Sequence, residues 1–369
     1  SILDGFLAMF ALAAFLCVVK DQQSARPRLM RTLREWDQVT APRSGWRDLR
    51  DFLLVRDRRG FAVGPNAGNR PWLLAAGVLC GLAGSVKWSG IYVLALLGLF
   101  VAIREITCRW RAGHPSPILG ALLADVWWAF ILMVPPAILT YIASWFAWFI
   151  HPRAYGHGRS GISGFGGALA DLWLYHRDMW KFHNGLETPH TYQSNPYTWL
   201  AQIRPTSFHW ANGEAVTGCP SGNCATNVVA LGNPILWWIG IGALMLVVWG
   251  TLYYRNWRAG VILTGYLALY VPWLGYAHRT IFTFYTVAFV PCVALAVAWM
   301  IGLLAGAVAP DGQPSILPMP RRTEITGRVM AVGLTITILA CALWFLPLWR
   351  ADVVDYEFWR AHMWLPTWI

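Results

Sequence analysis

Two cations in this chain stand apart from every other charge. Lys87 lies in GSVKWSGIY (84–92) and Arg279 in WLGYAHRTIFTFY (273–285), each next to long apolar runs. An ammonium group binds a phosphate as a point charge and a guanidinium binds it through a planar fork, so the two together suit one anionic phosphate group. A charge at mid-bilayer costs ~3 kcal/mol on insertion scales, so a cation in such a run needs a partner or a route to water. The other candidates lie in residues 151–232, which hold six of the nine histidines. The segment HTYQSNPYTW (190–199) is broken by Pro196 and has no helical period, so His190, Tyr192, Ser194, Asn195 and Trp199 are free to face a ligand. His176 and His183 instead follow a helical seam with Leu169, Leu172, Trp173, Met179 and Trp180, the pattern of a helix lying on a membrane surface. Seven residues of helix separate those two histidines by ~10 Å, too far for one metal ion.

Asp4 is the remaining acid beside an apolar run on the outer side, where capping the helix is its simplest role. No paired carboxylates occur in the segments that flank these residues, and the common nucleotide-phosphate and hydrolase motifs are absent from the sequence. Five of the seven cysteines lie in or beside apolar runs; Cys219 and Cys224 form the ends of CPSGNC. A short polar loop in an oxidising compartment favours a disulfide between them. Zinc with His209 is the rival, but it lacks a second cysteine pair, and no metal site is expected.

These residues must be positioned by membrane helices. Hydrophobic residues make up 57% of the 369, charged residues 13%, and the mean hydropathy is +0.44, values that exclude an ordinary soluble domain. The 24 tryptophans fit anchoring at headgroup depth. Apolar runs fall near 1–19, 71–103, 118–150, 235–254, 259–276, 281–307 and 329–348. A straight 33-residue helix is ~50 Å long against a hydrocarbon core of ~30 Å, so the run 71–103 should divide, with its turn at Lys87. The run 118–150 contains Asp125 and Pro135-Pro136 and reads as an interfacial start followed by a kinked span. About eight spans result. Residues 20–70 carry twelve Lys and Arg, whereas the longer loop 151–232 carries five. The positive-inside rule therefore makes 20–70 a cytoplasmic basic loop and 151–232 an extracytoplasmic loop, with Asp4, Lys87 and Arg279 on the outer side. Orientation accounts for the formal charge of +11, and no nucleic acid is expected as a partner.

The motif order ILDGFLAMF (2–10), GLAGSVKWSGIY (81–92), HTYQSNPYTW (190–199), GNPILWW (232–238), RTIFTFY (279–285) and MWLPTWI (363–369) resembles that of bacterial protein O-mannosyltransferases, above all the actinobacterial ones. The resemblance runs through essentially all of 1–369 as one transmembrane glycosyltransferase domain. It implies an all-α polytopic fold of the GT-C type, with one large extracytoplasmic loop and C-terminal transmembrane helices over 235–348. It further implies a polyprenyl-phosphate mannose donor, Ser or Thr hydroxyls of secretory polypeptides as acceptors, and a bacterial plasma membrane location with the active site outside. Membrane lipids and the secretion translocon are the remaining expected partners. The family carries a catalytic acidic pair in a first external loop upstream of ILDGF, so the catalytic residues are expected outside this chain, which reads as a fragment without its true N-terminus. Residues 151–232 are too short for the β-trefoil insert of eukaryotic relatives.

The mechanism implied is inverting. A carboxylate deprotonates the hydroxyl, which attacks the anomeric carbon as the lipid phosphate leaves, with Lys87 and Arg279 stabilising the phosphate charge. The scheme requires no cofactor, although it is compatible with a divalent cation. His190, Tyr192, Ser194, Asn195, Trp199 and Asp4 are the expected donor or acceptor contacts. Two alternatives are another lipid-phosphate-sugar transferase acting on a glycolipid or glycan, and a transporter; the second lacks the inverted repeat and the matched broken helices of such folds.

Overall fold

The computed structural model describes residues 2–39, 64–114, 116–219, 222–306 and 321–369. The expected loop arginines between 43 and 59 lie outside the described residues. The chain forms two compact units, residues 2–152 and residues 153–369.

The first unit begins with α1 (Ile2–Val39). At ~1.5 Å per residue this helix is about 57 Å long, so its second half extends past a hydrocarbon core. The first twenty residues of the expected basic loop 20–70 are thus helical. The reason is a second apolar stripe: Ala25, Leu29 and Leu33 recur at i, i+4 and i+8 and are buried with Ala67 and Cys108.

The run from Pro71 divides as its length demands. Helix α2 (Pro71–Val86) and α3 (Ser89–Arg111) are separated at Lys87, whose backbone is extended with φ −157° and ψ 138°. The two helices touch through backbone, since a Cβ on Gly90 would lie 2.3 Å from the Gly84 nitrogen. The run from Pro117 is helical almost throughout, as α4 (Pro117–Ala121), a π-helical turn (Leu122–Val126), α5 (Trp127–Ser144) and α6 (Phe146–Ile150). Asp125 occupies the π turn, and Pro135 and Pro136 both lie inside α5. Gly77 and Gly81, four residues apart on α2, face α5 so closely that a Cβ would come within 2.5 Å of the Met133 and Ala137 carbonyl oxygens respectively. Small residues at this spacing allow membrane helices to pack backbone against backbone.

The second unit starts with α7 (Gly164–Asn184) and ends in four apolar helical segments. These are α8 (Pro234–Leu252), α9 (Trp257–Leu269) continued by the short α10 (Val271–Leu274), α11 (Val290–Leu304) and α12 (Arg321–Trp349). α8 packs on α9, α11 and α12. The sequence reading omitted a three-stranded antiparallel sheet: β1 (Thr206–Asn212) and β2 (Cys224–Ala230) lie between α7 and α8, β3 (Val354–Asp355) follows α12, and β2 is central. Cys219 and Cys224 are disulfide-bonded, with Cα atoms 5.6 Å apart, and close the connection between β1 and β2. The short helix α13 (Tyr356–Ala361) follows β3.

Among the described residues, five helical stretches are long and apolar enough to cross a membrane: Leu3–Glu35, Ser89–Arg111, Pro117–Ser144, Pro234–Leu252 and Ile325–Trp349. Pro71–Val86 and Val290–Leu304 are shorter apolar helices. The protein is a polytopic, predominantly helical membrane protein.

Candidate functional site

In the unit of residues 2–152, Lys87 meets Asp4: the ammonium nitrogen stands 2.7 Å from a carboxylate oxygen. The Asp4 side chain is 6% exposed and that of Lys87 26%, so the acid is enclosed while the cation retains an open side. The extended backbone at Lys87 ends α2 and turns its side chain back to the first turn of α1. Trp88, next in sequence, donates its indole N–H to the Tyr141 hydroxyl at 3.1 Å and fixes the turn against α5. Asp4 therefore does more than cap a helix; it supplies the counter-charge that an isolated cation requires.

The other end of the α2–α3 hairpin carries a different arrangement. Arg70 donates to both oxygens of Asp21, at 3.1 and 2.5 Å, and lies 3.0 Å from Glu105. Arg104 bridges Glu105 at 2.6 Å and Asp21 at 2.7 Å, and Arg109 reaches Asp125 at 2.5 Å and the Pro65 carbonyl at 2.9 Å. Asp125 also accepts the Ala67 N–H at 2.8 Å. All six side chains are buried, and three positive charges balance three negative ones. This buried cluster ties α1, the approach to α2, α3 and the π turn together.

In the unit of residues 153–369 the motif 190–199 folds against two others. The Ser194 N–H donates to the Ile281 carbonyl at 2.9 Å, and the Thr280 N–H to that of Leu186 at 3.0 Å. The Ser194 hydroxyl accepts from the Trp199 indole at 2.8 Å and is hydrogen-bonded to the Thr283 hydroxyl at 2.9 Å. Asn195 caps the 3-10 turn Pro196–Ala201 by accepting the Tyr197 N–H at 3.0 Å. Ser194 and Trp199 are buried, and their polar atoms, like the Asn195 carbonyl, are committed inside the loop. His190 and Tyr192 differ: His190 is exposed, with its ring edge-on to Phe282 at 5.1 Å, and Tyr192 is half-buried.

Arg279 leaves the short turn after α10 with its guanidinium 5.8 Å from the Tyr276 ring, and its buried Nε has no hydrogen-bond partner among the described residues. Sequence reasoning missed Thr283, Gln202 and Arg204, which bind this loop from below. Arg204 was the findable one, as the single Lys or Arg between Lys181 and Arg255. A cavity of about 300 Å³ adjoins, lined chiefly by Phe208, Leu231, Trp237, Phe284 and Val290 with Gln202 at its polar edge.

Outside the spans, the loop before α7 is held by charge. Asp171 accepts the N–H groups of Gly158 at 2.7 Å and Ser160 at 2.6 Å. Burial pushes its carboxyl up, but the hydrogen bonds from Ser160 and Gly158 outweigh that and hold it below the usual carboxylate range. Asp178 is held low first by the hydrogen bond from Arg159, at 2.6 Å. Among the described residues no group of three or more His, Cys, Asp or Glu is placed to hold a metal ion.

Two family descriptions match the chain: the C-terminal four-transmembrane region of protein O-mannosyltransferase over residues 168–368, and dolichyl-phosphate-mannose-protein mannosyltransferase over residues 66–150. The chain belongs to the protein O-mannosyltransferase family. Its two matched regions fall one in each compact unit. A polyprenol-phosphate-mannose–protein mannosyltransferase of Mycolicibacterium smegmatis (strain MKD8) is 30% identical over all of this chain and 68% of its own length. Proteins of the same name from Mycobacterium tuberculosis (strain CDC 1551 / Oshkosh) and Corynebacterium glutamicum are 27% and 29% identical, over 100% and 99% of this chain and 67% of theirs. No solved structure matches. The family is one of membrane glycosyltransferases, so the resemblance read from the six motifs holds.

Proposed function

We propose that this protein O-mannosyltransferase moves mannose from a polyprenyl-phosphate donor to Ser or Thr hydroxyls of polypeptides at the outer face of a bacterial plasma membrane. The observation that carries the reading is the match, along essentially the whole chain, to three actinobacterial relatives that share one name for donor and acceptor. The Cys219–Cys224 disulfide supports the outer, oxidising placement of residues 151–232.

Lys87 and Arg279 serve the leaving phosphate. Stabilising charge that develops on a leaving group is often the largest single catalytic term, and a cation needs no proton transfer to supply it. Asp4 holds Lys87 in place, and the buried Nε of Arg279 has no hydrogen-bond partner among the described residues, which suits a guanidinium that binds an anion. His190 and Tyr192 are the donor or acceptor contacts of this loop, supported from within by Ser194, Asn195 and Trp199. The apolar cavity suits a hydrocarbon chain rather than a sugar. The general base belongs to the upstream acidic loop implied by the family. Membrane lipids and the secretion translocon complete the proposed partners.

The test is an assay of the purified full-length protein with polyprenyl-phosphate mannose and, in parallel, a Thr-rich peptide, a glycolipid acceptor and proteoliposomes loaded with solute. Mannosyl peptide is the expected product. Transfer to the glycolipid alone would move the protein to the related class, and solute flux without transfer would make it a transporter. Within that assay Arg279→Gln should lower kcat about a hundredfold and Arg279→Lys about tenfold, because lysine keeps the charge and loses the fork.

A further inference from the structure

We propose that Arg204 is a positioning residue, which sets the His190–Tyr192 loop by tying it to the terminal segment MWLPTWI. Its guanidinium donates to the Thr367 backbone oxygen at 2.7 Å and to that of Ile369 at 3.1 Å through one nitrogen, and to the Thr191 carbonyl at 3.1 Å through the other. The same group lies over the Tyr192 ring, 5.2 Å from its centre. One side chain thus touches both the loop and the terminal segment, and its oxygen ligands are all backbone. Backbone oxygens have a fixed place on the chain, so they define where the guanidinium plane stands, and that plane defines where Tyr192 can stand.

Neighbouring contacts run in the same direction. Trp368 donates its indole N–H to the Gln202 carbonyl at 2.7 Å, the Thr367 hydroxyl donates to the Ile203 carbonyl, and the Thr283 hydroxyl donates to the Arg204 carbonyl. Gln202 adopts a left-handed backbone, φ 55°, and its side chain spans the Trp199 carbonyl at 2.9 Å and the Gly232 N–H at 3.2 Å. The loop's base is therefore rigid without Arg204. What Arg204 adds is the link from that base to Thr191 and Tyr192, the part that is open. This explains why the terminal motif and HTYQSNPYTW, far apart in sequence, belong to one site. The inference rests on the reading of His190 and Tyr192 as substrate-lining.

The experiment compares Arg204→Gln, Arg204→Lys, His190→Ala and Tyr192→Leu in the full-length protein, measuring thermal midpoint and steady-state transfer with polyprenyl-phosphate mannose and a Thr-rich peptide. Arg204→Gln should raise KM for one of the two substrates about tenfold, with kcat within twofold and an unchanged midpoint. Arg204→Lys should recover part of that loss, since an ammonium reaches one of the backbone oxygens but cannot fork or stack as a plane. A purely structural role predicts fewer active molecules instead, with lower kcat and both KM values intact, and that result overturns the proposal. Wild-type kinetics in both Arg204 variants overturns it too, while reduced transfer in His190→Ala and Tyr192→Leu leaves the loop reading standing. Wild-type kinetics in those two loop variants removes the loop from the site and the positioning role with it. Should Arg204→Gln fail to fold, Arg204→Lys alone decides: a raised KM supports the role and wild-type transfer ends it.

Discussion

The two ends of the α2–α3 hairpin handle charge in opposite ways. At the Arg70 end, six buried side chains neutralise one another and their geometry is closed. At the Lys87 end an ammonium meets the Asp4 carboxylate, and the Lys87 side chain remains partly exposed. Buried ion pairs are poor sources of net stability because desolvation offsets their attraction, yet removing one partner is expensive. A closed cluster therefore fixes helices, while an open pair leaves a cation that can still take a second anion. The hairpin, about 24 Å along α2, joins a fastening to a candidate site.

That contrast can be broken in several places. Replacing Glu105 by Leu should have the largest effect, since it strips Arg70 and Arg104 of a shared partner. A loss of about 3–5 kcal/mol is expected, seen as failure to purify a monodisperse protein or as a collapse of the thermal midpoint. A Glu105→Leu protein of wild-type stability would show that the cluster fastens nothing.

Lys87→Met comes next and should separate chemistry from stability. It leaves the Asp4 carboxylate enclosed without a counter-charge, so the midpoint should fall by the equivalent of about 1–3 kcal/mol, and transfer should drop about a hundredfold. Adding Asp4→Asn should restore the midpoint but not the transfer. If the double variant regains activity, Lys87 is a structural partner of Asp4 and nothing more.

A smaller effect belongs to the disulfide. Cys219→Ser with Cys224→Ser opens a short ring whose closure contributes about 2 kcal/mol on chain-entropy grounds. The β1–β2 connection should become protease-sensitive under non-reducing conditions, with transfer changed less than threefold. The smallest effect is acid loosening around Asp171. Its carboxyl lies lower in the folded protein than its ordinary value of 3.8, so its stabilisation is complete above that pH and is lost as pH falls through the folded value. Protection of the Gly158 and Ser160 amides, measured relative to their intrinsic exchange rates, should fall as pH drops below 3.8, and in Asp171→Asn it should be low already at neutral pH.

The legible and illegible parts of the molecule divide along the same lines. The break at Lys87 was legible because 33 apolar residues cannot form one crossing, and the length argument needs no partner. Asp4 as that partner was not, since the two are 83 residues apart and nothing local in either segment encodes the meeting. The charged cluster was hidden because its arginines count as topogenic under a rule that ignores acids; Asp21, Glu105 and Asp125, each beside an apolar run, were the signal. In the loop, the stretch 190–199 is aperiodic in the sequence and folds as a turn with a short 3-10 helix. Its division into exposed His190 and enclosed Ser194 depends on Thr283 and Ile281, which only tertiary structure supplies. The strands were missed because β1 and β2 lack a clean alternation of buried and exposed residues and β3 comes from beyond the last long helix.

The closed cluster also sets a timetable for the nascent chain. Asp21 leaves the ribosome with α1, but Arg70 and then Arg104 and Glu105 follow only after dozens more residues, roughly ten seconds at ordinary synthesis rates. During that interval Asp21 has only cations of its own helix, such as Arg28, near it. The seat given by Arg70 and Arg104 exists only once α3 has been made, and the cluster is complete only when Asp125 follows in the π turn.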